Sequence, residues 1–253
     1  MIQQQKILGT IGYPGGLPAL PTPFSDSLID MLEFNHEAIL QPGERIELIR
    51  AKQSLHDYAR NELVKNMKGK WLLQLDTDLY FDPDLCARML FLADKYEVDV
   101  LTGMYCYKKP PHLPVVYAPW TADNTDTGPL HTWDREIELL PIGWSGAGCL
   151  FVRQRVFQRI IDELKEWPFT RIDRVGEDKS FFLRLHKLGI QAYCAWKVQV
   201  GHLRWQSVVA DEHYGEVPAG GFRIRTDTVI GLLPNDQFFN RQQQEQQEQT
   251  LSI

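Results

Sequence analysis

The chain has 253 residues, 43% hydrophobic and 24% charged, enough to bury one substantial core as a single α/β domain or a domain with a tail. A formal net charge of −6 excludes a global basic field, which argues against nucleic acid or anionic lipid as partners, a local basic patch apart. Cys86, Cys106, Cys149 and Cys194 are widely spaced with no C-x-x-C pair, so they read as reduced thiols filling the core of an intracellular protein.

The N-terminal "MIQQQKILGT" has no basic region followed by a long apolar stretch, so no signal peptide is expected. The most apolar later run, residues 142–152, holds Gly143, Gly146 and Gly148 and is too short to span a bilayer. The expected location is cytoplasmic.

In chain order, "KILGTIG" (residues 6–12) predicts a buried strand, ended by the glycine- and proline-rich "GYPGGLPALPTP". "RIELIR" (45–50) alternates apolar and polar residues as a second strand. Ser54 offers a helix N-cap with Asp57 three residues on. Leu55, Ala59, Leu63 and Met67 then form one apolar stripe, with Gly69 as the stop. "WLLQL" (71–75) predicts the third strand, and Asp82-Pro83 opens a helix running to about Ala93. "VDVLTGMY" predicts a fourth strand. Strands alternating with helices point to an α/β fold with an open, mostly parallel, doubly wound sheet.

From residue 108 to 138 the pattern breaks, with Pro110, Pro111, Pro114, Pro119, Pro129 and "TADNTDTG". A connection that long is usually functional or mobile, and an acceptor-side lid is the expectation. "LLPIGWSGAGCLFVR" is a glycine-dense turn feeding a strand, and 155–166 is helical. "GEDKSFFLRLHKLG" is an amphipathic helix carrying Glu177 and Asp178 in its first turn, with Gly189 as its stop. "QAYCAWKVQV" is a further strand that leaves through Gly201 and His202. The expected boundaries are a domain over residues 1–204 and an extension over 205–253. The latter includes the low-complexity "RQQQEQQEQT", predicted to be frayed or weakly helical. There is no internal repeat.

Four constellations bear on function. "DTD" (Asp76, Thr77, Asp78) closes the third strand. Such a pair is common by chance and often only a solvated turn. Ligands of open α/β sheets, however, gather beyond the carboxyl ends of strands, and two residues apart on a strand share a face. Two hard carboxylates suit Mg²⁺ or Mn²⁺, with the rest of the shell left to water and phosphate oxygens. Glu177 and Asp178 are placed where the helix macrodipole stabilises acids without further role, or where a firmly planted general base would stand. His202 at a strand exit is either a hydrogen-bonded loop residue or a nitrogen ligand that tilts preference toward Mn²⁺. "GWSGAG" (143–148) is either a tight bend on the sheet or a close backbone approach to a sugar, with the Trp144 indole stacking on it.

Taken in order, "DTD" at a strand end, "GAGCLFVRQRVF", "GEDKSFFLRLHKLG" and a strand ending "VGHL" resemble the GT-A glycosyltransferases of the family-2 type. The "YARNEL" segment (58–63) fits bacterial and phage members, and the likeness spans roughly residues 6–203. "GTIGYPGG" departs from the usual strand-end motif that receives the base, so uridine and guanosine both stay open.

The resemblance implies a GT-A fold and a metal-dependent transfer of a sugar from a UDP- or GDP-sugar to a hydroxyl acceptor. It implies that Asp76 and Asp78 hold Mn²⁺ or Mg²⁺ across the donor diphosphate and that His202 completes the shell. Asp178 would be the general base, in which case the attack is in line and inverts the anomeric centre, with retention the open alternative, and Glu177 would orient the acceptor. Donor contacts would come from Thr10, Tyr13, Arg60, Asp76, Thr77, Trp144, Gly146, Ala147 and Gly148. Two rivals are a Mg²⁺-dependent nucleotidyl- or phosphoryl-transfer protein and a sugar- or nucleotide-binding module without turnover. The first needs phosphate-binding lysines near the glycine-rich N-terminal loop, where only Lys6 and Lys52 are at hand and no Walker-type motif appears.

Overall fold

The structure, a computed structural model, describes residues 5–16, 19–52, 55–109, 112–121 and 124–203. Its elements in order are β1 (Lys6–Pro14), α1 (Thr22–Ala38), β2 (Glu44–Ala51), α2 (His56–Asn66), β3 (Trp71–Leu75), β4 (Leu79–Tyr80), α3 (Leu85–Lys95) and β5 (Val100–Met104). There follow β6 (Val116–Tyr117), β7 (Leu140–Ile142), β8 (Trp144–Ser145), β9 (Cys149–Arg153), α4 (Gln154–Arg159) with a π-helical continuation (Ile160–Leu164), α5 (Glu177–Lys187), β10 (Ala192–Gln199) and β11 (Gly201–His202).

A seven-stranded sheet runs in the order β2-β1-β3-β9-β5-β10-β7. β1 is parallel to β2 and β3, and β10 is parallel to β5. β9 is inserted antiparallel between β3 and β5, and β7 lies antiparallel on the β10 edge. The sheet is buried on both faces, as alternation along its strands shows. Leu73, Leu75, Cys149 and Phe151 face the side covered by Phe24, Leu28, Met31, Leu85 and Met89 of α1 and α3. Leu72, Leu150 and Val152 face Ala59, Leu63, Phe157, Phe181 and Leu185 of α2, α4 and α5. Every residue of "WLLQL" is buried, as a central strand between two helical layers requires. Each such Leu or Phe contributes about 1.5–3 kcal/mol by leaving water.

The expected α/β sheet is therefore present, with three differences. The sequence pattern marks no element between residues 24 and 44, yet α1 stands there. Pro23 sits in its first turn, where a missing N–H costs nothing, and Phe24, Leu28, Met31 and Asn35 form its buried stripe. Second, α3 begins at Leu85 rather than at Pro83, and α2 is preceded by Leu55 without a side-chain cap; the proposed cap Ser54 lies outside the described residues. Third, the 108–138 segment is not wholly irregular: β6 pairs with β8, and bridges join Cys106 to Pro114 and Tyr117 to Pro129. The proposed extension over residues 205–253 lies outside the described residues.

Candidate active site

The carboxyl ends of β1, β3, β5 and β10 open on one edge of the sheet, and β9 starts from it. Chemistry collects there because backbone groups at strand ends are free of the ladder and side chains can converge. The "DTD" segment does not continue β3. Leu79 N–H donates to the Asp76 carbonyl at 3.3 Å, so residues 76–79 form a turn. Strand alternation no longer applies, and the two carboxylates part company.

Asp76 turns onto Arg60. This α2 residue is 1% exposed, and its Nη2 donates to both Asp76 oxygens, at 3.0 and 3.1 Å. Its Nη1 donates to the Ala147 carbonyl at 3.0 Å and reaches Gln74 Oε1 at 3.5 Å. Its Nε lies 3.3 Å from Asp178 Oδ1. Burial works against the charge of Arg60, but Asp76 and Asp178 outweigh it and raise its pKa above the ordinary arginine value. One buried cation thus ties the acidic turn after β3 to the first turn of α5.

Asp178 is pushed up to about 6, chiefly by burial, with Arg60 opposing and the Asp76 and Glu177 carboxylates adding to the rise. Its Oδ1 is inaccessible against Arg60, while the side chain as a whole keeps 27% of its surface open. The carboxyl group is thus held beside a fixed cation while its side chain stays partly open, a disposition compatible with a proton acceptor. Glu177 lies beside it, 3.7 Å from Arg171 Nη2.

Asp78 meets a different set. Lys108 Nζ lies 2.5 Å from its Oδ2, and His202 Nε2 is 3.4 Å away. Burial disfavours its charge, yet hydrogen bonds from His202 and Lys108 prevail and hold it at about 2. His202 reaches this place because β11 pairs with β4, His202 opposite Leu79. Its Nδ1 is 2.8 Å from the Cys106 carbonyl, which only accepts, so Nδ1 carries a proton. Nε2 then faces Asp78 Oδ2, the oxygen that the Lys108 ammonium also meets. A histidine oriented through Nδ1 by a backbone carbonyl presents its other nitrogen as metal-ligating histidines do. Asp78 and His202 thus offer one oxygen and one nitrogen of the type a divalent ion takes.

The expected trio of Asp76, Asp78 and His202 is not gathered, because Arg60 takes Asp76. Among the described residues no three His, Cys, Asp or Glu side chains are grouped to hold an ion.

Tyr105, just past β5, is a central residue that the sequence pattern does not single out. Its hydroxyl accepts from Gly148 N–H at 3.0 Å, and its ring stands edge-on to His202 with centroids 5.5 Å apart. Burial, then Asp178 and Asp76, raise its pKa well above the usual phenol value, so it stays a protonated donor. Tyr105 also explains the glycines. A Cβ on Gly146 would lie 2.1 Å from its Oη, and one on Gly148 would lie 2.9 Å from Oη and 3.3 Å from Asp76 Oδ2. "GAG" is a seat for Tyr105 and, through the Ala147 carbonyl, for Arg60.

Several expected donor contacts stand elsewhere. Thr10 is fully buried in β1, clasping Lys68 through its carbonyl and N–H, both at 2.8 Å. Tyr13 is a core residue packed edge-on against Phe24. Arg60 is spent on protein acceptors. Thr77 is 8% exposed. Trp144 stacks on Tyr117 at 3.7 Å, with Lys179 Nζ 5.6 Å from its ring, so its indole is not an open platform. Lys6 pairs with Glu44 at the opposite edge, away from any phosphate at this site.

Comparison with known proteins follows the same lines. Residues 26–130 match the family described as glycosyl transferase family 2, which bears out the resemblance over the segment holding Arg60, Asp76, Asp78, Tyr105 and Lys108. No curated protein matches the sequence. The solved structure titled "Crystal Structure of A197 from STIV" superposes with a TM-score of 0.51 at 16% identity, covering 91% of this chain and all of that one; at that identity the likeness is one of fold.

Proposed function

We propose, from the premise that residues 26–130 carry a glycosyl transferase family 2 domain, that this chain moves a sugar from a nucleoside-diphosphate-sugar to a hydroxyl acceptor with inversion. Asp178 is the general base. The observation that carries this reading is the buried guanidinium of Arg60, which bridges Asp76 and Asp178.

In the reaction the bond from the anomeric carbon to the diphosphate oxygen breaks, and its electron pair leaves with the diphosphate. The acceptor oxygen attacks from the opposite side, and its proton passes to the carboxylate of Asp178. Arg60 fixes the direction of that carboxylate. A group near pH 6 is well matched to such a transfer, worth roughly 10²- to 10⁴-fold in rate. Glu177 is placed to orient the acceptor. Tyr105, kept protonated, is a fixed dipole between the two acidic groups.

Asp78 and His202 are the side chains that would hold a Mn²⁺ or Mg²⁺ ion. Such an ion supplies Lewis-acid neutralisation of charge on the departing diphosphate, worth several kcal/mol.

A thermal-shift screen of UDP- and GDP-sugars, with and without Mn²⁺, tests the reading. A melting point raised by one nucleotide class supports a donor site, since a ligand of the native state stabilises by mass action. No shift with either class at millimolar concentration would refute it.

A further inference from the structure

The carboxylates of this edge differ in what neutralises them. Asp76 and Asp178 share Arg60, which is 1% exposed with its guanidinium engaged with Asp76, Ala147 and Gln74, so it cannot reach a ligand. Arg171, though its side chain is 53% exposed, is divided between Asp57 and Glu177, and Lys179 pairs with Asp126. Asp78 instead has Lys108, whose side chain is 31% exposed against 37% for Asp78 itself. An ammonium has three donors on a flexible four-carbon stem, and Asp78 takes one of them.

The backbone around Lys108 is fixed. Tyr107 N–H donates to the Leu113 carbonyl and Val115 N–H to the Tyr105 carbonyl, both at 2.9 Å, and His112 N–H donates to the Lys109 carbonyl at 3.0 Å. Its cation is therefore delivered to the acidic edge by the hydrogen bonds that join residues 105–109 to residues 112–115. A nucleoside diphosphate entering there brings about two negative charges to a place already holding Asp76, Asp78, Glu177 and Asp178, and needs an accessible cation to meet it.

We propose that Lys108 is a phosphate-binding residue of the donor site, its ammonium passing from Asp78 to a non-bridging oxygen of the nucleoside diphosphate. No covalent bond and no proton is exchanged. The inference rests on the donor site proposed above and adds to it a residue outside the expected acidic and glycine motifs.

The test titrates UDP and GDP into the full chain in Mn²⁺ buffer by calorimetry, with uridine and guanosine as phosphate-free controls. For the diphosphate that binds the wild type, Lys108→Met is expected to weaken binding about tenfold or more, the loss of one charge-assisted hydrogen bond. Lys108→Arg should restore most of it, and nucleoside binding should not change. A methionine variant that binds the diphosphate as the wild type does would overturn the assignment of Lys108 alone. Failure of the wild type to bind either diphosphate would remove the donor site, and this inference with it. Should the methionine variant not fold, Lys108→Gln carries the same expectation.

Discussion

At the scale of residues, the site depends on how one arginine is divided between two acids. Arg60→Met leaves Asp76 and Asp178 beside an apolar group, and breaking a buried pair in this way costs about 3–5 kcal/mol. A urea denaturation midpoint lowered accordingly is expected, and an unchanged one would show that the pair is dispensable.

Asp178 adds a pH dependence of known sign. Its folded pKa of about 6 lies above its ordinary 3.8, so the native state binds the proton more tightly than the unfolded chain. The associated stability is full below about pH 4 and is lost as pH rises through 6. Asp178→Asn should therefore melt above the wild type at pH 7.5, with the gap narrowing toward pH 5. A constant gap between these pH values would contradict the raised pKa.

Asp76, Asp78 and Asp178 are legible in the sequence because acids at a strand exit and in a helix's first turn are local features. Arg60 is legible as a site residue, but not its role, since its partners Asp76, Ala147 and Asp178 come from three other segments. Tyr105 leaves no sequence trace beyond its place after a strand.

At the scale of elements, local pattern predicts strands and helices well and their relations poorly. α1 escapes because its prolines look like a loop, although only its interior must hydrogen-bond. Thr10 and Tyr13 escape for the same reason: without α1 and the Lys68 clasp, β1 looks open to a ligand.

The "GAG" run invites a sugar or a bend, whereas its geometry answers to Tyr105. Gly146→Ala should force that ring aside, costing about 1–3 kcal/mol as an overpacked site does. Tyr105→Phe, which removes the clashing Oη, should recover part of the loss. A double-mutant cycle on denaturation midpoints measures the coupling; strict additivity would show that the two residues do not meet.

At the scale of the whole molecule, an antiparallel β9 set among parallel strands brings Gly148 against Asp76, whose N–H donates to the Gly148 carbonyl at 2.7 Å. The small β4–β11 pairing swings His202 back over Asp78. Both are long-range consequences of sheet order, which alternation of elements alone does not specify. The family match ends at residue 130, before Asp178 and His202, so these two rest on fold and geometry. Among the described residues no helix is long and apolar enough to cross a membrane.

The most direct measurement follows free nucleoside diphosphate released from UDP- and GDP-sugars in Mn²⁺ buffer, comparing wild type with Asp178→Asn. Release by the wild type, slowed by a hundredfold or more in a variant that still binds the donor, is the predicted result. Equal rates in the two proteins, or donor bound by the wild type without any release, would contradict it.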